Sequence, residues 1–394
     1  MENRPRFASR TSWNLELNRL AQALEARRKS GREILDLTES NPTRCGFQYN
    51  GGSLLQPLAD ARALLYEPHP RGLLPAREAV VRYYAERRVM VRPEQIVLTS
   101  GSSEAYSYLF RLLAEPGDNV LVPRPGYPLF EFLSRLNDVE LSSYRLAYHG
   151  SWDIDFDSLE AAADERTRAV IVVNPNNPTG SIIRPSERQT IEDFCRRRGL
   201  ALISDEVFLD YTFPEAAAAA GSFAGTRDCL AFALNGLSKT AALPQMKLGW
   251  IAAAGPAGPV GEALERLEVI ADTYLSVATP VQWALPELLA AGRRIQIQIF
   301  NRLAGNLHCL DQLLSGQSLC SRWNIDAGWS AILRVPGTLS DEERALELLD
   351  KDGVLVHPGH FFDFGGEGYL VVSLLPPPAV FREGISRMLA RITA

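Results

Sequence analysis

At 394 residues and 46% hydrophobic, the chain is longer than one ordinary hydrophobic core supports, so two domains on a soluble enzyme scaffold are expected. A net charge of −6 argues against a basic nucleic-acid surface. Neither the polar opening MENRPRFASR nor any later stretch supplies about eighteen consecutive apolar residues, so no membrane span and a cytoplasmic location are expected.

In chain order, LDLTESNPT, Leu35 to Thr43, begins apolar and ends polar. From Gln95 to about Ala254, β-like apolar runs alternate with helical patterns: QIVLT, NVLVP, AVIVV, ALISD, LAFAL and KLGWIAAA. Such alternation predicts a mostly parallel sheet covered by helices on both faces, with functional groups gathered at the strand ends. Beyond Pro280 the pattern changes to long helices, then to the shorter strands SAILRV, VLVHP and YLVVSLL and a last helix near Val380 to Ile392, which make a second domain. Cys45, Cys195, Cys229, Cys309 and Cys320 are odd in number, widely spaced and without a CxxC pair, favouring reduced thiols and no zinc site.

Four segments bear on chemistry. In NGLSKTAALPQMKLGW, Lys239 follows a small polar residue at the end of an apolar run, where desolvation would let it lose its proton and form an imine. In LTSGSSEAYSYLF, the run Gln95–Thr99 ends in Ser100, Gly101, Ser102 and Ser103 before a helical pattern, a composition that suits a phosphate cradle or simple helix capping. In VNPNNPTG, the strand Ala169–Val173 runs into prolines, asparagines and a glycine, which predicts a rigid irregular loop. In ALISDEVFLDY, Asp205 ends an apolar strand; at that depth a carboxylate needs a cationic partner, structural or catalytic.

Taken together in this order and spacing, the segments resemble the class I/II aminotransferases, the fold-type I group that uses pyridoxal 5'-phosphate, over nearly the whole chain. The resemblance implies an α/β fold: a large domain at 46–287 with a mostly parallel seven-stranded sheet flanked by helices, and a smaller α+β domain built from both termini, 1–45 and 288–394. It implies Lys239 as the Schiff-base lysine and proton-moving base, and Asp205 as the partner of the pyridine nitrogen. Asn177 corresponds to the asparagine that contacts the ring's phenolic oxygen and the substrate carboxylate. Tyr127, in PRPGYPLFE, corresponds to the aromatic that stacks on the ring. The phosphate falls to Gly101, Ser102, Ser103, Ser238 and Lys247. Tyr66, in YEPHPRGLLPAREAV, matches a tyrosine that crosses a dimer interface to the partner's phosphate, implying a homodimer with shared sites. LDLTESNPT resembles the strand that folds over the substrate, with Ser40 where a glycine is usual.

Three departures concern the substrate. In GYLVVSLLPPP the family pattern places a carboxylate-gripping arginine two residues before the serine, and here that position is Val371. Another cation must substitute or the substrate must differ; Arg44 and His360 are candidates by position along the chain. Phe208 stands where many relatives carry a tyrosine that donates to the phenolate oxygen, so the imine nitrogen is expected to hold its proton to higher pH. Lys247 stands where an arginine is more common and gives up the planar fork. The expected activity is transfer of an amino group from an amino acid to a 2-oxo acid. The alternative is a carbon–sulfur β-lyase or other eliminating enzyme on the same fold. Cofactor-sensing regulators of this fold carry an added DNA-binding domain, and the roughly 35 residues before LDLTESNPT are too few for one.

Overall fold

The computed structural model describes residues 6–393. Its main sheet runs in the order Ile96–Thr99, Gly249–Ala254, Ala231–Gly236, Ala201–Asp205, Thr167–Val173, Asn119–Arg124, Glu140–Tyr148 and Trp152–Ile154. The central pairings are parallel, whereas Gly249–Ala254 and Trp152–Ile154 run against their neighbours. The sheet therefore has eight strands rather than the expected seven. The extra one is the three-residue Trp152–Ile154, which pairs with the end of Glu140–Tyr148. A strand of that length carries too little periodicity to stand out in sequence.

Alternation within the apolar runs sorts the core into layers. Val97, Val120, Val122, Ile171, Val173, Ile203, Phe232, Leu234 and Ile251 face one side, against the helices Ser102–Leu113 and Ala257–Tyr274. Leu121, Val170, Val172, Leu202 and Ala231 face the other, with Ile191, Phe194 and Cys195 of the helix Pro185–Arg198. Successive side chains on a strand point to opposite faces, so a strand buried on both reads as an unbroken apolar run. All the parallel strands thus deliver their C-terminal ends to one edge of the sheet. The reversed strand Gly249–Ala254 brings its first residue, Gly249, to that edge.

The second sheet is four-stranded and antiparallel, in the order Ser321–Arg322, Ser330–Arg334, Tyr369–Ser373 and His357–Pro358. The amino-terminal strand Leu35–Asp36 pairs in parallel with Val354–Leu355, and Ser373 N donates to Leu37 O at 2.7 Å. Leu37 is fully buried against Gly384 of the last helix, Pro378–Thr393. These contacts fasten the amino-terminal segment to the carboxy-terminal sheet. The helix Thr279–Leu314 runs 36 residues without a break, so the expected boundary between 287 and 288 falls inside one rod, next to Pro286. Residues 1–5 of the expected small domain lie outside the described residues. No helix among the described residues is long and apolar enough to cross a membrane.

Candidate active site

Lys239 lies in the single helical turn Leu237–Thr240 that follows the strand Ala231–Gly236. The turn is pinned from several sides. The Tyr211 hydroxyl donates to Lys239 O at 2.8 Å, Thr240 Oγ1 donates to Asn235 Oδ1 at 2.7 Å, and the Tyr49 hydroxyl donates to Ala242 O at 3.0 Å. The amine stands 4.8 Å from the centroid of the Trp329 ring and 5.6 Å from that of Phe208. Desolvation holds the amine below the ordinary lysine range, and the nearby charge of Asp205 offsets this only in part. A lysine so placed is a better nucleophile and base near neutral pH than one in water.

Asp205 closes the strand Ala201–Asp205, and the neighbouring strand turns away beside it, with Asn174 N donating to Asp205 O at 2.8 Å. Its carboxylate accepts from the Tyr106 hydroxyl at 3.1 Å and from Val207 N at 3.2 Å. Burial pushes the carboxyl up to about 6, while those two hydrogen bonds and the Lys239 charge pull the other way. Among the described residues no cation pairs with it. A buried carboxylate with two hydrogen bonds and no ion pair is a receptor for a cationic group.

Three strands over, Gly101 precedes the helix Ser102–Leu113, whose first amides point out of the sheet edge. Three glycines pack backbone to backbone here. A Cβ on Gly249 would lie 3.0 Å from the Gly101 Cα and 3.0 Å from Asn235 O, and one on Gly236 would lie 2.8 Å from the Gly249 Cα. Lys247, in the left-handed region at φ 48°, brings Nζ to 3.8 Å from where a Gly101 Cβ would sit. The hydroxyls of Ser102, Ser103 and Ser238 make no hydrogen bond to the described residues. Free amides, free hydroxyls and an ammonium in a glycine-floored recess make a phosphate cradle.

Asn177 sits in the loop after the strand Thr167–Val173, where the Asn174–Pro175 and Asn177–Pro178 bonds are cis. Its neighbours anchor the loop. Asn176 Nδ2 donates to Pro125 O at 3.1 Å and Asn174 Nδ2 to Gly221 O at 3.0 Å, while the side chain of Asn177 has no partner among the described residues. Tyr127 follows the cis Arg124–Pro125 bond. It meets Phe130 edge-on at 5.9 Å, and Phe130 meets Tyr106 at 5.3 Å, so an aromatic chain runs from Tyr127 to the Asp205 hydrogen bond.

The remaining expected residues do not join this group. Ser40 and Arg44 are exposed, and Arg44 has no hydrogen bond or ion pair from its side chain among the described residues. His360 is exposed on the turn Gly359–Phe362; with Tyr127, Phe361, Arg10, Arg124 and Arg135 it lines a cavity of about 820 Å³ that neither Lys239 nor Asp205 reaches. The chemistry lies instead with the carboxylate, amine and glycine cradle. Tyr66 is 74% exposed and is not among the residues that make up this chain's own cradle contacts. Val371 is 1% exposed and packs with Trp152, Ile332 and Phe362, so no charge is offered there.

Tyr106, Trp329, Gly236 and Gly249 escape a reading of the sequence alone. Tyr106 had a signal, since it stands one helical turn after Ser102 and so faces the same sheet edge. Trp329 had none, because it arrives from the second sheet.

Comparison with known proteins matches the description "Aminotransferase class I and II" to residues 53–386. The chain belongs to the class I and II aminotransferase family. Within that family it is 35% identical to S-alkyl-thiohydroximate lyase SUR1 of Arabidopsis thaliana over 222 residues, 55% of this chain and 48% of that protein. It is 29% identical to nicotianamine aminotransferase 1 of Oryza sativa over 300 residues, which take in 58% of that protein. The chain thus spans about half the length of these two relatives. It is 25% identical to glutamate-pyruvate aminotransferase AlaA of Haemophilus influenzae over 383 residues, 91% of each chain. In fold it is similar to the alanine aminotransferase from Pyrococcus furiosus, with a TM-score of 0.89 at 24% identity, covering 98% of this chain and 100% of that one.

The cofactor of class I and II aminotransferases is pyridoxal 5'-phosphate. The residues present fit it on three counts. Asp205 is a buried carboxylate lacking the cation that a pyridine nitrogen supplies, the glycine recess is shaped and charged for a phosphate, and Lys239 is a desolvated amine. Asp205, Tyr127, Asn177, Gly101, Ser102, Ser103, Ser238, Lys239 and Lys247 are the side chains and backbones that would hold it.

Proposed function

We propose that this protein is an aminotransferase that moves an amino group from an amino acid to a 2-oxo acid, with Lys239 as attachment point and base. The observation that carries the reading is the Lys239 amine, desolvated 4.8 Å from Trp329 and within the field of Asp205. The cofactor, when bound, supplies an electron sink for the bond that breaks at the substrate carbon. The chain supplies everything that steers it. Asp205, fixed by Tyr106 and Val207, presents negative charge to the ring nitrogen and favours its protonated form. Lys239 gives up and takes back a proton at Nζ over a short path, because its backbone is locked by Tyr211. Tyr127 covers one ring face, and Asn177 offers an amide to an anionic oxygen.

The working unit is a homodimer in this reading. Tyr66 and its neighbours Leu64, 91% exposed, and Leu65 form an uncovered apolar stretch, which a second copy of the chain would bury while lending its own Tyr66 to the cradle. The five cysteines are all unpaired, which supports a reducing, cytoplasmic location. Val371 favours a second reading. With no cation at that position the substrate's acid end is held differently, and SUR1, similar to this chain over 222 residues, is named as a lyase. The test is the absorption spectrum of the cofactor-loaded protein as single amino acids are added without an oxo acid. Bleaching of the yellow band without release of ammonia establishes amino-group transfer. Pyruvate and ammonia released while the band persists establish elimination.

A further inference from the structure

Trp329 belongs to the wall around Lys239, yet nothing above gives it a task. It is 3% exposed and held just ahead of the strand Ser330–Arg334, its carbonyl accepting from Leu374 N at 2.7 Å. Its ring meets Phe208 edge-on at 5.4 Å and Tyr211 at 5.0 Å, and lies 4.8 Å from Lys239 Nζ. Its indole N–H is buried and donates to nothing among the described residues. A buried donor left unpaired is a standing cost that native structures rarely carry, so it calls for a partner.

The neighbours are not that partner. Phe208 has no polar atom, and the Tyr211 hydroxyl, which donates to Lys239 O at 2.8 Å, does not accept from the indole. Two other indoles are buried without partners, but Trp13 packs on Phe132, and Trp152 lies in a cluster with Tyr148 and Trp323 at the far edge of the main sheet. Only Trp329 shares a wall with the reactive amine.

We propose that the Trp329 indole N–H donates a hydrogen bond to the anionic phenolic oxygen of the cofactor ring held at Lys239, the donor role that Phe208 cannot fill. The inference rests on the cofactor reading of this site. It has a consequence with a definite sign. The phenolic oxygen carries its charge most openly once the proton it shares with the Lys239 nitrogen has left. A donor there stabilises that deprotonated form and lowers the pH at which the proton leaves.

Trp329→Phe keeps an aromatic ring and removes the N–H. Titrating the visible absorbance of the cofactor-loaded protein should then give a pKa about one unit higher than that of the parent. Adding Phe208→Tyr to Trp329→Phe should bring it back down, because a hydroxyl donor returns to the same wall. A second measurement needs no variant to be active and no turnover. Among the indole N–H signals of the six tryptophans, the one missing from Trp329→Phe should move downfield when pyridoxal 5'-phosphate alone is added to the parent. A yellow band that forms while this signal stays put, with Trp329→Phe titrating like the parent, overturns the inference and leaves the cofactor reading standing. A signal that moves only after an amino or oxo acid is added also overturns it, assigning the donor to the substrate instead. No yellow band and no shift of any indole would overturn the cofactor reading and the inference together.

Discussion

The wall of the site made by the main sheet and the wall made by the second sheet meet at one amine but are built from opposite materials. On the main-sheet side, Asp205, Gly101, Asn174 and Ser238 sit at parallel strand ends, and backbone hydrogen bonds or glycine contacts fix each of their backbones. On the second-sheet side, Trp329 is an apolar surface with no charge, Val371 faces the other side of that sheet in a separate cluster, and the cations expected to help, Arg44 and His360, lie exposed. Holding a constant cofactor needs a fixed polar frame that parallel strand ends supply cheaply. Choosing a substrate needs a surface that can change without disturbing that frame, and the second sheet meets it through contacts such as Gly328 N to Tyr211 O.

The sharpest way to break this comparison is at the shared amine. Lys239→Ala should abolish the yellow band and lower steady turnover by about 10⁴-fold or more, since both nucleophile and base are lost. Steady turnover by that variant would show that the polar wall is not the reacting one.

Asp205→Asn tests whether the frame is strained without its ligand. A carboxyl raised to about 6 binds more protons in the folded than in the unfolded state, so the cofactor-free parent should lose stability as pH rises from about 4 to 6. The asparagine variant should not show that loss and should be more stable at pH 7.5 by roughly 3 kcal/mol, at about 1.4 kcal/mol per pKa unit. Its affinity for the cofactor should fall by about 100-fold, equivalent to about 2.7 kcal/mol. Urea melts across pH and a cofactor titration measure the two halves. Parallel pH profiles for parent and variant would show that Asp205 is not a desolvated receptor.

Val371→Arg asks whether the far face of the second sheet opens to the substrate. The residue is packed against Trp152, Ile332 and Phe362, so a guanidinium there should cost about 3 kcal/mol in a urea melt and leave KM for 2-oxo acids unchanged. A lower KM with stability kept would show that this face lines the substrate site after all.

The main-sheet wall was legible in the sequence because its residues are consecutive with strands that announce themselves. Ala201–Ile203 is apolar, Asp205 ends it, and burial on both faces leaves the carboxylate nowhere else to go. The glycines at 236 and 249 were harder, since their role is to let two strand ends approach within contact, a property of pairs and not of runs. The second wall was the least legible. Trp329 lies 90 positions after Lys239 in the chain, and no local pattern marks a tryptophan that will face an amine in another domain. The short strand Trp152–Ile154 fails for a related reason: its tryptophan packs on Tyr148 and on Trp323, which comes from a distant part of the chain.

The smallest effects should come from the two exposed cations. Removing Arg44 or His360 should change stability by less than about 0.5 kcal/mol, because neither side chain holds an ion pair among the described residues. Their difference lies in what surrounds them. His360 packs on Phe361, 4.9 Å away, beside the cavity that Tyr127 also lines, whereas Arg44 follows the segment fastened to Ser373 through Leu37. If the acid end of the substrate enters past Tyr127, His360→Ala should raise KM for the oxo acid about tenfold with kcat held, while Arg44→Ala leaves it unchanged. If it enters under the amino-terminal segment, Arg44→Ala should raise it and His360→Ala should not. An unchanged KM in both variants takes both cations out of the substrate site and leaves the acid end to the neutral donors of the polar wall, Asn177 first among them.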